Sequence, residues 1–123
     1  MKISTTLAQQ PQPKPDETKL SFGTKFTDHM FNMDYAADKG WHTPRIEPYG
    51  PITMDPATMV LHYGQGVFEG LKAYRTAAGQ IQLFRPQENF RRLNRSNDIL
   101  CIPRFDEHFA LAALKELLTV EQD

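Results

Sequence analysis

The sequence predicts an α+β fold, an antiparallel sheet with helices packed on one side of it, and three stretches carry that prediction. Residues 71–84 alternate apolar and polar groups about a Thr-Ala-Ala-Gly turn, the period of a hairpin. Two apolar stripes of helical period follow, one from Pro86 and one from Asp106. Upstream, residues 20–35 bring Phe22, Phe26, Met30, Phe31, Met33 and Tyr35 together at strand density. Strands first and helices last is the order of an α+β layer rather than of βαβ units. With 123 residues, 40% of them hydrophobic, there is material for one core and not for two ordinary domains.

Residues 1–19 carry Pro11, Pro13 and Pro15 in alternation and almost no large apolar group, so they bury too little to offset their ordering entropy. They are expected to form a disordered leader, with the domain occupying 20–123. Gly23 is a candidate bend or bulge in the strand that follows. Between 38 and 58, prolines at 44, 48, 51 and 56 forbid a continuous central strand or helix, and a loop with short extended pieces is expected. Met59 to Gly70 mixes a short apolar run with Gly64, Gly66 and Gly70, a chain that can approach closely to something.

Leu71 and Ala73, then Ile81 and Leu83, form the apolar face of the hairpin. Pro86 suits the first turn of a helix, because its missing N–H would have had no helical partner there. On that helix Pro86, Phe90, Leu93 and Asn97 share one face, Asn89, Arg92 and Ser96 flank it, and Arg91 and Arg95 lie on the other side. Pro103 ends it. Asp106 is then a candidate N-cap for a helix whose face carries Phe109, Ala110, Ala113, Leu114 and Leu117.

Fourteen Lys and Arg against 15 Asp and Glu leave a net charge of -1, so no global field favours nucleic acid or an acidic membrane. Locally the balance differs. Residues 72–104 hold seven basic and two acidic groups, a block of +5 on the hairpin and first helix. A folded face there could grip a phosphate through the planar fork of an arginine, although charged groups on a surface helix are usually only solvated. Arg91 and Arg92 are about 100° apart on the wheel and each borders an apolar position, so periodicity does not choose between them.

Other chemistries are poorly represented. The histidines at 29, 42, 62 and 108 have no metal-ligand spacing, and there is no Walker loop, nucleophile elbow or Cys-x-x-Cys. Cys101 is the single cysteine and cannot close an intramolecular disulfide, which fits a reducing compartment. Mean hydropathy is -0.53 and no apolar run approaches the ~20 residues of a membrane span. The N-terminus lacks the apolar core of a secretory signal. A soluble cytoplasmic protein, without nucleic-acid or membrane partners, is the expectation.

LHYGQGVFEGLKAYR at 61–75, LFRPQENFRRLNRS at 83–96 and LCIPRFD at 100–106 closely resemble branched-chain amino-acid aminotransferases, pyridoxal-phosphate enzymes of fold type IV. SFGTKFTDHMF at 21–31 and DKGWHTPRIEPY at 38–49 resemble the upstream part of the same family, so the likeness runs from about residue 20 to residue 121. The looser pattern is shared with D-amino-acid aminotransferases and aminodeoxychorismate lyases. FEGLKAYR with FRP favours the branched-chain group.

The resemblance implies that Arg92, rather than Arg91, holds the phosphate of pyridoxal 5'-phosphate. It places Phe68, Gly70 and Phe22 at the wall of a pocket for a branched apolar side chain, and Tyr63 in the active site of a neighbouring subunit, which makes the working unit a homodimer. The implied reaction passes the amino group of leucine, isoleucine or valine to 2-oxoglutarate, giving a 2-oxo acid and glutamate. It also requires a lysine that forms the internal Schiff base. The seven lysines, at 2, 14, 19, 25, 39, 72 and 115, match no such site. The chain is therefore expected to be the N-terminal small domain of such an enzyme, with no catalytic residue of its own and inactive alone. A stand-alone phosphate- or nucleic-acid-binding module built on the +5 block, or a ligand-free scaffold or dimerisation fragment, are the competing readings.

Overall fold

The computed structural model describes residues 1–122. Asp123, the last residue of the expected domain, lies outside them. Contacts gather in two compact units, one of residues 1–51 with 113–122 and one of residues 52–112, where a single small domain over 20–123 was expected. Each is described by itself. Helices and largely antiparallel strands make the fold α+β, as the sequence predicts.

In the first unit, β2 (His29–Ala36) and β3 (Gly40–Pro48) form an antiparallel hairpin, and β1 (Ser4–Thr5) pairs parallel with the other edge of β3. The turn needs three residues, 37–39. Lys39 N–H donates to the Ala36 carbonyl at 3.1 Å, and Gly40 takes φ +68°, which closes such a loop. Tyr35 and Trp41, paired across it, meet edge to face with ring centroids 5.3 Å apart.

Two sequence expectations fail here. Residues 38–58 were expected to be loop, yet β3 runs through Pro44 and Pro48. The register explains how: Asn32 faces Arg45 and Asp34 faces His42, so Thr43 and Pro44 together oppose Met33 in a bulge, and Thr43 takes φ +52°. A proline in a bulge removes no ladder hydrogen bond, and Pro48 is the last residue of its strand. Conversely, the strand expected over 20–35 begins only at His29. Residues 21–24 form a turn, with Thr24 N–H donating to the Ser21 carbonyl and Gly23 at φ +71°.

The segment expected to be a disordered leader carries backbone hydrogen bonds to β3 and to the start of β2. Thr6 N–H donates to the Ile46 carbonyl at 2.9 Å, Ala8 N–H to His29 Nε2 at 2.8 Å, and Gln12 N–H to Asp28 Oδ1 at 3.0 Å. Counting apolar area missed these bonds, because the segment is tied by its backbone. Since His29 Nε2 accepts, its proton is assigned to Nδ1, which donates to Glu121 Oε1 at 2.6 Å. Glu121 also pairs with Lys14 Nζ at 3.2 Å. Burial works to raise the Glu121 pKa, but the hydrogen bonds from His29 and Lys14 bring it below the ordinary range. Ile46 and Ala113 are buried apolar side chains of this unit, and Pro44 is buried too.

In the second unit, α1 (Met59–Tyr63) is followed by the hairpin of β4 (Ala73–Arg75) and β5 (Ile81–Leu83), then α2 (Pro86–Ile99). The antiparallel sheet is thus realised as two sheets among the described residues. The hairpin and the Pro86 helix start are as predicted. Helix α2 ends in a Schellman arrangement: Ile102 N–H donates to the Asn97 carbonyl at 2.9 Å, Cys101 N–H to that of Asp98 at 3.4 Å, and Cys101 sits at φ +55°. Asp106 caps α3 (Glu107–Glu121) as expected, its Oδ1 accepting from His108 N–H at 2.8 Å and Phe109 N–H at 3.1 Å.

Asn94 anchors this end of the unit. Its Nδ2 donates to the Phe105 carbonyl at 3.0 Å and to Glu107 Oε1 at 3.1 Å, while its Oδ1 accepts from Phe105 N–H at 3.1 Å. Phe90 and Phe105 pack edge to face, with centroids 6.1 Å apart. This fixes α2 against the segment that leads into α3, and so fixes which way the polar flank of α2 points.

Candidate functional site

That polar flank, Asn89 and Arg92, meets the loop that precedes β4. Arg92 donates from Nε to Glu69 Oε2 at 2.6 Å and from Nη2 to Glu69 Oε1, a two-pronged ion pair. Asn89 Nδ2 donates to the same Glu69 Oε1 at 3.2 Å and to the Gly70 carbonyl at 2.9 Å. The loop is thereby pinned to the helix at two consecutive residues. Glu69 is sunk, with its side chain 8% exposed, whereas Arg92 is 59% exposed. The hydrogen bond from Arg92 holds the Glu69 carboxyl at about 2, well below its usual range.

Arg91 is differently placed. It donates to Glu88 Oε1 at 2.6 Å, one turn back on its own helix, and both partners stand in solvent at 55% and 51% exposure. Such a pair moves with the helix surface and fixes nothing else. Periodicity left Arg91 and Arg92 equivalent. The fold separates them, because only Arg92 of the two is locked to a buried carboxylate from another segment.

Outward of this lock, Arg92 lines a shallow hollow with Phe84, Arg85, Glu88 and Asn89. Two guanidinium groups can serve a small anion, both Asn89 Nδ2 hydrogens being taken by Glu69 and Gly70; Glu88 partly offsets them, since Arg85 Nη2 lies 3.7 Å from Glu88 Oε1. No group of three or more potential metal ligands gathers among the described residues. No helix is long and apolar enough to cross a membrane among them either.

The other residues singled out from the sequence lie as follows. Tyr63 ends α1 and is exposed; Gly64 after it takes the left-handed conformation, φ +60°. Phe68 is exposed next to Glu69. A Cβ added to Gly70 would meet nothing within 4 Å, and its φ is not positive, so nothing in this chain demands a glycine there. Phe22 belongs to the first unit and is exposed in its turn. The structure therefore joins Gly70 to Arg92 through Glu69 and Asn89, and leaves the three aromatic side chains uncovered. Sequence reasoning placed Asn89 beside Arg92 on the helix flank without giving it a role, and passed over Glu69. The only available signal was that a lone acid inside an apolar, glycine-rich stretch requires a cation.

No family model matches the chain. Among curated proteins it is 59% identical over 121 residues, 98% of its length, to "Branched-chain-amino-acid aminotransferase 2" of Bacillus subtilis (strain 168). It is 56% identical over 110 residues to "Branched-chain-amino-acid transaminase 1" of the same organism. It is 44% identical over 126 residues to "Branched-chain-amino-acid aminotransferase" of Mycolicibacterium smegmatis (strain ATCC 700084 / mc(2)155). The chain spans about a third of the length of these relatives, 33%, 31% and 34%.

Proposed function

We propose that this chain, which belongs by sequence to the branched-chain amino-acid aminotransferases, is the N-terminal part of such an enzyme and carries the arginine that holds the phosphate of pyridoxal 5'-phosphate. The identity of 59% over nearly the whole chain carries the reading. The geometry supports it. Arg92 gives two N–H groups to Glu69, and a guanidinium has five, so three stay available on a side chain more than half in solvent. The donor set of Arg92 and Arg85 fits a phosphate.

When bound, the cofactor supplies an electron sink for amino-group transfer between an amino acid and a 2-oxo acid. The residues of this chain hold and enclose. Arg92 neutralises and anchors the phosphate. Phe68 and Phe22 offer apolar walls to a leucine, isoleucine or valine side chain, where one methylene is worth only about 1 to 3 kcal/mol and contact must be close. Gly70 leaves room for that side chain. Tyr63 projects to the active site of a second subunit, and the enzyme works as a homodimer. Exposure of Tyr63, Phe68 and Phe22 supports this reading, since large aromatics in solvent are surfaces that the remaining two thirds of the enzyme would cover. The reading places the reaction's essential lysine outside these 123 residues and the enzyme in the cytoplasm.

The test is transamination of leucine with 2-oxoglutarate and added pyridoxal phosphate. The complete protein is expected to form glutamate and these 123 residues alone to form none. Turnover by the isolated chain, or none by the complete protein, would overturn the reading.

A further inference from the structure

Anchoring the phosphate uses Arg92 and leaves its partner, Glu69, without a role. A carboxylate beside an anion site is costly, because it repels the ligand the site should attract. Glu69 is nonetheless 8% exposed and held by two side chains. A solvated pair would leave both partners wet, as Arg91 and Glu88 are.

We propose that Glu69 is a positioning residue: by taking the Nε and one Nη2 hydrogen of Arg92 it turns the free edge of the guanidinium toward the cofactor phosphate, and Asn89 fixes Glu69 in turn. This rests on the assignment of Arg92 to the phosphate. Arginine is long and loses much rotamer freedom when it grips a ligand. A carboxylate that already holds one edge of the fork removes that loss in advance, and the planar group then has one orientation to offer. Asn89 makes the brace rigid, because its carboxamide bonds both the Glu69 carboxylate and the Gly70 carbonyl. The same bonds set the backbone at Gly70, so phosphate anchor and substrate wall are held by one cluster. Glu69 is charged throughout the neutral range, which the brace requires.

The experiment is a double-mutant cycle in the complete enzyme, stripped of cofactor. Dissociation constants are measured for pyridoxal and for pyridoxal phosphate, and the first divided by the second isolates the phosphate anchor. Glu69→Gln is expected to reduce that ratio about three- to tenfold when Arg92 is present and to cause no loss in the Arg92→Ala background. Asn89→Ala, which keeps both charges, is expected to reduce it about twofold. A ratio that is unchanged or raised in Glu69→Gln would make Glu69 a bystander or a competitor and overturn the proposal. An equal loss with and without Arg92 would do the same, since Glu69 would then act by another route. If Arg92→Ala alone leaves the ratio unchanged, the phosphate assignment itself fails. Should Glu69→Gln not fold, Asn89→Ala decides, and no change in it counts against the brace.

Discussion

Two asparagines a turn apart on α2 are both buried, Asn94 at 1% and Asn97 at 2% exposure, yet replacing them with alanine should have very different consequences. Asn94 makes three bonds of 3.0 to 3.1 Å with Phe105 and Glu107. At about 1 kcal/mol each, and with the Phe105 N–H and carbonyl left unpaired, Asn94→Ala should cost about 3 kcal/mol or somewhat more. Asn97 has a single 3.5 Å contact, to Asn94, and its Oδ1 has no partner among the described residues. Asn97→Ala removes an unsatisfied group and should cost about 1 kcal/mol or less, chiefly through the small void. Amide hydrogen exchange is the assay, read at Phe105 N–H and along α2. Asn94→Ala should speed exchange at Phe105 about a hundredfold, with Asn97→Ala within about fivefold of the parent. Equal effects from the two, or a cost below about 1 kcal/mol for Asn94→Ala, would refute the claim that this side chain joins α2 to the start of α3.

Further expectations follow from the same geometry. Glu69 has its carboxyl lowered from 4.5 to about 2 in the folded chain, so its contribution is whole above about 4.5 and lost as pH falls through about 2. Acid unfolding of the parent relative to Glu69→Gln should show that difference disappearing across this window; a constant offset would contradict it. Cys101 holds a left-handed conformation at the end of α2, so Cys101→Gly should stabilise by about 0.5 to 1 kcal/mol, raising Tm by about 2 to 4 °C, and a lowered Tm would argue against the Schellman cap. His29→Phe removes the acceptor of Ala8 N–H while sparing the Thr6 bond to Ile46. Exchange should then become fast at Ala8 and stay slow at Thr6; continued protection at Ala8 would mean the N-terminal segment is held by something else.

What could be read from the residues in advance had a local cause. Pro86 at a helix start, Asp106 at an N-cap and the turn at Gly79 are decided within a few residues, and the structure places each as expected. Strand β3 was illegible because its prolines look forbidding until the register shows Pro44 in a bulge against β2. The order of residues 4–12 depends on His29, Asp28 and Ile46, all distant in sequence. At the candidate site, Arg92 was one of two equivalent arginines on the wheel. The residues that single it out, Glu69 and Asn89, act across 23 and 20 positions of chain, beyond the reach of periodicity.

The central claim, that Arg92 and not Arg91 anchors the cofactor phosphate, is tested most directly by cofactor retention in the complete enzyme. Equilibrium binding of pyridoxal phosphate, followed by its absorbance, should weaken at least about tenfold in Arg92→Ala and stay within about twofold of the parent in Arg91→Ala. Equal losses in the two variants, or retention by Arg92→Ala, would contradict the account.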